Sequence, residues 1–396
     1  MTFTGVDTVR NIKVLTIFGT RPEAIKMAPL VKRLQEEPLI ESYVCVTAQH
    51  REMLDQVLEI FRIKPDYDLN IMHHRQSLVS ITTKALEGLY KVINELKPDI
   101  VLVHGDTSTT LAGALAAFYN KVPVGHVEAG LRTYNKYSPY PEEINRVLTA
   151  DIAEMHFAPT VRNKQNLIRE NITRGIYVTG NTVIDALKYT VVPDYAFKDS
   201  TLKDIDFSKG RFVLLTAHRR ENLGKPLENI CRAVKRLVHD FDDVYVIYPV
   251  HLNPAVRETV GTILGGLQRV YLIDPVDVQD MHNLMARCYM VMTDSGGLQE
   301  EAPALGKPVL VLRTETERPE AIEAGTVKLA GIECEEVYRS AATLLSDHAA
   351  YAAMARAVNP YGDGRASERI VKAILYRFGL GEKPEEFKPT QAYKEY

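Results

Sequence analysis

At 396 residues the chain exceeds what a single hydrophobic core serves, which predicts two domains of comparable size. Its 45% hydrophobic and 25% charged residues are those of a globular enzyme, and a formal net charge of -3 argues against the basic field of a general nucleic-acid binder. Cys45, Cys231, Cys288 and Cys334 make no CxxC pair, which argues against a zinc ribbon or a disulfide framework; MTFTGVDTVR has no apolar h-region and no run nears the ~18 apolar residues of a membrane span, which points to the cytoplasm.

From Ile12 to about Leu329, short β-rich apolar runs alternate with amphipathic stretches, the pattern of repeated βα units. In the first half strands are expected at IKVLTIF (12–18), YVCVT (43–47), IVLVHG (100–105), VPVGHVE (122–128), MHFAP (155–159) and GIYVTG (175–180). In the second they are expected at RFVLLTA (211–217), DVYVIYPV (243–250), RVYLID (269–274), YMVMTD (289–294) and KPVLVLR (307–313). Two doubly wound parallel sheets follow. Residues 191–210 lose periodicity and gain Pro, Asp, Ser and Lys, as a linker would, so the domains are expected at 1–190 and 191–365. Residues 366–396 then form a helix to about Gly379 and a polar tail, packing back toward the first domain.

The first strand ends in Gly19 and Thr20 and runs into a helix opened by Arg21, Pro22 and Glu23, with Lys26 one turn on. Unpaired N–H groups at that helix start, with two cations beside them, make a candidate anion site, although no GxGxxG fingerprint is present. Asp106 in HGDTSTT and Glu128 in HVEAGLR stand on the carboxyl edge of the first sheet, where open α/β folds bind ligands. Glu142 opens the helix PEEINRVLTADIA with Arg146 four residues on, either as a surface i,i+4 pair or as a third carboxylate converging on the other two. Crowded carboxylates raise one another's pKa, so that one stays protonated and donates while another accepts.

In the second half AHRREN sets His218, Arg219 and Arg220 at a strand end, and TDSGGLQEE repeats the phosphate-type turn. Ser295 is expected to cap the helix, Gly296 and Gly297 to admit a phosphate to the backbone, and Glu301 to accept from ribose hydroxyls. His73, His74 and His251 lack a metal-ligand spacing such as HExxH, so no metal site is expected.

Taken in order, FGTRPEAIKMAPL, VHGDTSTTLAG, GHVEAGLRT, YSPYPEEINR, TAHRRENLG and TDSGGLQEEAPALGKPVLVLR resemble the bacterial non-hydrolysing UDP-N-acetylglucosamine 2-epimerases, over about residues 12 to 378. The resemblance implies the GT-B architecture, two Rossmann-like domains with an interdomain cleft, usually as a homodimer, with UDP-N-acetylglucosamine and UDP as ligands. It makes Arg21, Lys26, His218, Ser295, Gly296, Gly297 and Glu301 ligands of the UDP part. Asp106, Glu128, Glu142, Arg146 and His218 match the catalytic positions, and Gln49, His50, Arg75, Gln76, Arg219 and His251 match a site where the substrate activates its own turnover. Tyr134 departs from the pattern, standing where many relatives carry glycine.

No carbonyl acidifies the hydrogen at carbon 2 of the sugar, so inversion there requires UDP to leave carbon 1 first or in concert, giving a 2-acetamidoglucal that is re-protonated on the other face. The route needs cations on the leaving diphosphate and more than one carboxylate, and neither a nicotinamide nor a divalent metal. Which carboxylate serves which face stays open. A GT-B glycosyltransferase, a hydrolysing epimerase and a non-catalytic nucleotide-sugar sensor are the rival readings; the three carboxylates favour epimerisation.

Overall fold

All but one side chain of IKVLTIF are buried, as a strand covered on both faces requires, and these residues form β1 (Ile12–Phe18). The structure, a computed structural model, describes residues 10–48, 51–71 and 76–389. In chain order β1 is followed by β2 (Ile40–Val46), β3 (Tyr67–Asp68), β4 (Ile100–His104), β5 (Val124–Val127), β6 (Met155–Ala158) and β7 (Ile176–Val178). They form one parallel sheet in the order β3-β2-β1-β4-β5-β6-β7. A second parallel sheet contains β8 (Arg211–Thr216), β9 (Val244–Pro249), β10 (Val270–Ile273), β11 (Met290–Thr293), β12 (Val309–Val311) and β13 (Val327–Leu329), in the order β10-β9-β8-β11-β12-β13.

Both sheets are doubly wound. In the second, Val213 and Leu215 of β8 share a core with Leu227, Val234 and Leu237 of the helix Lys225–Asp240. The alternate residues Phe212 and Leu214 share another with Met285 and Ala302. A strand that buries both its even and its odd residues reads as a continuous apolar run, which is why RFVLLTA was legible. The edge strands β3 and β13, of 2 and 3 residues, were not expected, because no apolar period develops over so short a span.

The chain divides into two compact units, one of residues up to Ala186 together with Gly364–Lys388, the other of Leu187–Asp363. It passes from the first to the second inside the helix Thr182–Thr190. The stretch 191–210, expected as a linker, is ordered within the second unit. Asp280 accepts from Tyr195 Oη and from the amides of Lys198 and Asp199, and Phe197 and Leu202 are buried. In the first unit Asp185 accepts from the amides of Ala366 and Ser367 and so anchors the start of the helix Ala366–Arg377. The tail beyond is also tied down: Phe387 is buried and its amide donates to Val178 O on the edge strand β7.

Strand order reverses between β1 and β4 in the first unit and between β8 and β11 in the second. Ligands of such sheets bind outside the carboxyl ends of the strands at this switch point. Gly19, Gly105, Asp106 and Glu128 lie at those ends in the first unit, His218 and Asp294 in the second.

Candidate active site

At the β1/β4 edge the chain leaves β1 through Gly19, whose bare Cα is obligatory: a Cβ there would sit 2.0 Å from Thr47 Oγ1. Thr20 and Glu23 form a capping box on the helix Arg21–Gln35. The Glu23 carboxylate accepts from the amides of Gly19 (3.1 Å) and Thr20 (2.8 Å), and from the hydroxyls of Thr20, Thr107 and Thr110. The amides of Gly19 and Thr20 are therefore taken by the protein's own carboxylate. Arg21, half-buried, has no ion pair among the described residues.

Glu128 directly follows β5 with φ 62°, a left-handed conformation in which a non-glycine residue is strained, as residues at functional sites often are. Its carboxylate accepts from Lys26 Nζ at 2.6 and 2.8 Å and from Asn181 Nδ2 at 3.2 Å, and His104 Nε2 lies 3.0 Å away as an ion-pair contact. Burial alone would raise its pKa, but Lys26 and then His104 outweigh that and hold it well below the usual carboxylate range. Glu128 is thus not the carboxylate that crowding raises, because Lys26 and His104 hold it down. Lys26, expected on a diphosphate, is bonded to Glu128.

Asp106 Oδ2 accepts from Arg146 Nε (2.9 Å) and is ion-paired with Nη2 at 2.6 Å, and its carbonyl accepts from Asn145 Nδ2. Arg146 also reaches Glu143 Oε2 at 3.1 Å. The i,i+4 pair of Glu142 with Arg146 is not formed: the guanidinium turns to Asp106 and to the carboxylate three residues back. Glu142 Oε2 is instead buried with no hydrogen-bond partner among the described residues. A buried carboxylate oxygen in that state calls for a donor that the protein does not supply.

At the β8/β11 edge Asp294 Oδ2 accepts from the amides of His218 and Arg219, both at 2.8 Å, and from Asn222 Nδ2 at 3.0 Å. The exposed rings of His218 and His251 stack, with centroids 5.2 Å apart. Arg219 lies 3.9 Å from Glu317. Ser295 does not cap the helix Leu298–Ala304; the N-cap is Gly297, because the Ser295 amide is drawn to Thr293 Oγ1 at 2.9 Å. The amides of Gly296 and Gly297 have no acceptor among the described residues. Below the turn, Arg318 pairs with Glu300 at 2.8 Å, and a Cβ on Gly296 would stand 3.3 Å from its Cζ. Glu301 Oε2 is 3.5 Å from His282 Nε2.

Gln76, from the activating set, donates from Nε2 to Ile71 O at 2.6 Å. Gln49, His50, Arg75, His73 and His74 lie outside the described residues. Sequence reasoning missed His104, Glu143 and Arg318 and gave no role to Glu23 and Asp294. Glu23 was findable as the fourth member of the capping box T-x-x-E, and Glu143 from its i,i+3 spacing to Arg146.

Residues 32–375 match the family model described as UDP-N-acetylglucosamine 2-epimerase. A relative from Thermotoga maritima is 69% identical over 376 residues, covering 95% of this chain and 100% of the relative. The UDP-N-acetylglucosamine 2-epimerase of Bacillus subtilis is 58% identical over 381 residues, 96% of this chain and 99% of its own. The Neisseria meningitidis UDP-GlcNAc 2-epimerase, solved with UDP-GlcNAc bound, superposes with a TM-score of 0.82 at 51% identity, covering 92% of this chain and 100% of that one. The two parallel sheets thus match the two-domain Rossmann-like GT-B structures of these enzymes.

Proposed function

The chain belongs to the UDP-N-acetylglucosamine 2-epimerase family of isomerases, and we propose that it interconverts UDP-N-acetylglucosamine and UDP-N-acetylmannosamine by eliminating and re-adding UDP through a 2-acetamidoglucal. The observation that carries the mechanism is the contrast between two carboxylates of one unit. Glu128 is surrounded by Lys26, His104 and Asn181 and kept ionised, which suits a group that stabilises positive charge at carbon 1. Glu142 has a buried oxygen with no protein donor, which suits a group that meets the sugar itself.

Arg146 holds one oxygen of Asp106 by a hydrogen bond from Nε and an ion-pair contact from Nη2, leaving the other oxygen for substrate. In the second unit His218 and the Gly296 and Gly297 amides are the groups for the diphosphate, since unbonded N–H groups stabilise the charge that develops as UDP departs; Arg21 keeps the UDP role that the family resemblance implies. The activating role of Gln49, His50, Arg75, Gln76, Arg219 and His251, a cytoplasmic homodimer, and supply of cell-surface polysaccharide precursors belong to the same proposal. The stacked His218 and His251 rings, with centroids 5.2 Å apart, support joining the two histidine roles.

Incubation with UDP-N-acetylglucosamine in deuterated water tests the mechanism. Proton NMR should show deuterium at carbon 2 of both epimers. Turnover with full retention of the original hydrogen would refute elimination, and free N-acetylmannosamine with UDP would identify a hydrolysing enzyme. Activation is tested separately: UDP-N-acetylmannosamine alone should turn over after a lag that a trace of UDP-N-acetylglucosamine abolishes, and immediate linear turnover would exclude it.

A further inference from the structure

Glu143, next in sequence to Glu142, is 3% exposed and accepts from three donors. Its Oε1 takes the amides of Thr133 (3.0 Å) and Tyr134 (2.8 Å), and its Oε2 takes Arg146 Nη1 (3.1 Å). Tyr134 is held at φ 60°, the left-handed region that disfavours a side chain. A second tether is its hydroxyl, which donates to Asn166 Oδ1 at 3.0 Å, while Asn166 Nδ2 donates to Gly130 O at 3.0 Å. Beyond this root Asn135, Lys136, Tyr137, Ser138 and Tyr140 are exposed. An acid placed only to complement the helix start would be solvated and would touch neither the loop nor Arg146.

We propose that Glu143 is the positioning residue of this site: one carboxylate pins the strained Thr133–Tyr134 backbone with one oxygen and orients Arg146 on Asp106 with the other. The inference rests on the reading of Asp106 and Arg146 as catalytic. Its consequence is that the conformation of the loop 131–141 and the aim of Arg146 are set together. It also accounts for tyrosine at a left-handed position: the steric penalty is offset by the two amide bonds to Glu143 and by the hydroxyl bond to Asn166.

Steady-state kinetics on Glu143→Gln, Glu143→Ala, Tyr134→Gly and the double variant Glu143→Ala/Tyr134→Gly, each with a thermal unfolding curve, test it. In Glu143→Gln the amide NH2 faces either Arg146 or the loop amides whichever way it is turned, so kcat should fall about tenfold with KM within about twofold. Glu143→Ala should fall further. Tyr134→Gly alone should be near wild type, and in the Glu143→Ala background it should restore kcat roughly threefold or more, because glycine takes the left-handed conformation without steric penalty. A purely structural glutamate would lower the melting temperature and leave kcat at wild type. Wild-type kcat in both Glu143 variants, or a Glu143→Ala deficit that Tyr134→Gly leaves unmoved, would overturn the proposal. If Glu143→Ala does not fold, the same comparison is made in the isosteric Glu143→Gln background. Asp106→Asn is the control: if it retains turnover the site reading itself fails, whereas an inactive Asp106→Asn beside fully active Glu143 variants sinks this inference alone.

Discussion

At the β1/β4 edge the amides of Gly19 and Thr20 donate to Glu23, and at the β8/β11 edge those of His218 and Arg219 donate to Asp294. The plan is the same; the surroundings differ. In the first unit Glu128, Lys26 and His104 form one interlocked, largely buried set, and Asp106, Arg146 and Glu143 another. In the second, His218 and His251 are exposed and the Gly296 and Gly297 amides are unbonded within the described residues. A charge in an interlocked set cannot be changed without leaving its partner desolvated and uncompensated, so such a set keeps its geometry before any ligand arrives. An open set trades that rigidity for groups free to meet a ligand. On the proposed reading the first kind of site serves acid–base chemistry and the second the diphosphate.

The largest effects should follow from breaking the interlocked set. Glu128→Gln should lower turnover on the order of a hundredfold or more, the usual loss for a general acid or base, and lower stability by roughly 3 kcal/mol by removing the charge beside Lys26. A melting temperature equal to wild type would show that the Glu128–Lys26 pair is not interlocked. Glu142→Gln sharpens the contrast, since its Oε2 has no protein partner. Turnover should again drop on the order of a hundredfold, with unfolding unchanged; a large drop in stability would place Glu142 among the structural carboxylates.

Acid should act on the first unit next. Burial pulls His126 down to about 3 and His156 down to about 4, and His126 Nε2 is 2.7 Å from Gly105 O, where the neutral ring donates. Below about 6.5 the unfolded chain takes up these protons while the folded chain does not, so stability is lost as pH falls from about 6.5 toward those values. Between pH 7 and 5 the expected loss is about 2 kcal/mol per histidine. Calorimetry over that range would detect it, and a melting temperature flat from pH 7 to 5 would refute the buried neutral state.

The smallest effect belongs to the open set. His218→Ala should weaken UDP binding about tenfold, the loss of one hydrogen bond to a charged group, and leave the unfolding curve in place. Titration calorimetry would measure it. A destabilised His218→Ala variant would mean that the second edge is interlocked as well.

The chain by itself determined the strands whose residues are buried on both faces, since continuous apolar runs such as IKVLTIF and RFVLLTA need no partner to be recognised. It also determined which residue types stand at their carboxyl ends, because Gly19, Asp106, Glu128 and His218 follow those runs directly. The tertiary structure alone decided which of them bond. Lys26 and Glu128 are 102 residues apart and Arg146 and Asp106 are 40 apart, separations at which sheet order rather than local spacing sets the neighbours. Hence the local pair Glu142–Arg146 lost to a distant one, and crowding expected to raise a carboxylate pKa gave way to a cation. Tyr134 shows the same limit: its departure from glycine was visible in the chain, but the left-handed backbone and the Glu143 carboxylate that holds it exist only once the loop and the helix Glu142–Ile152 are brought together.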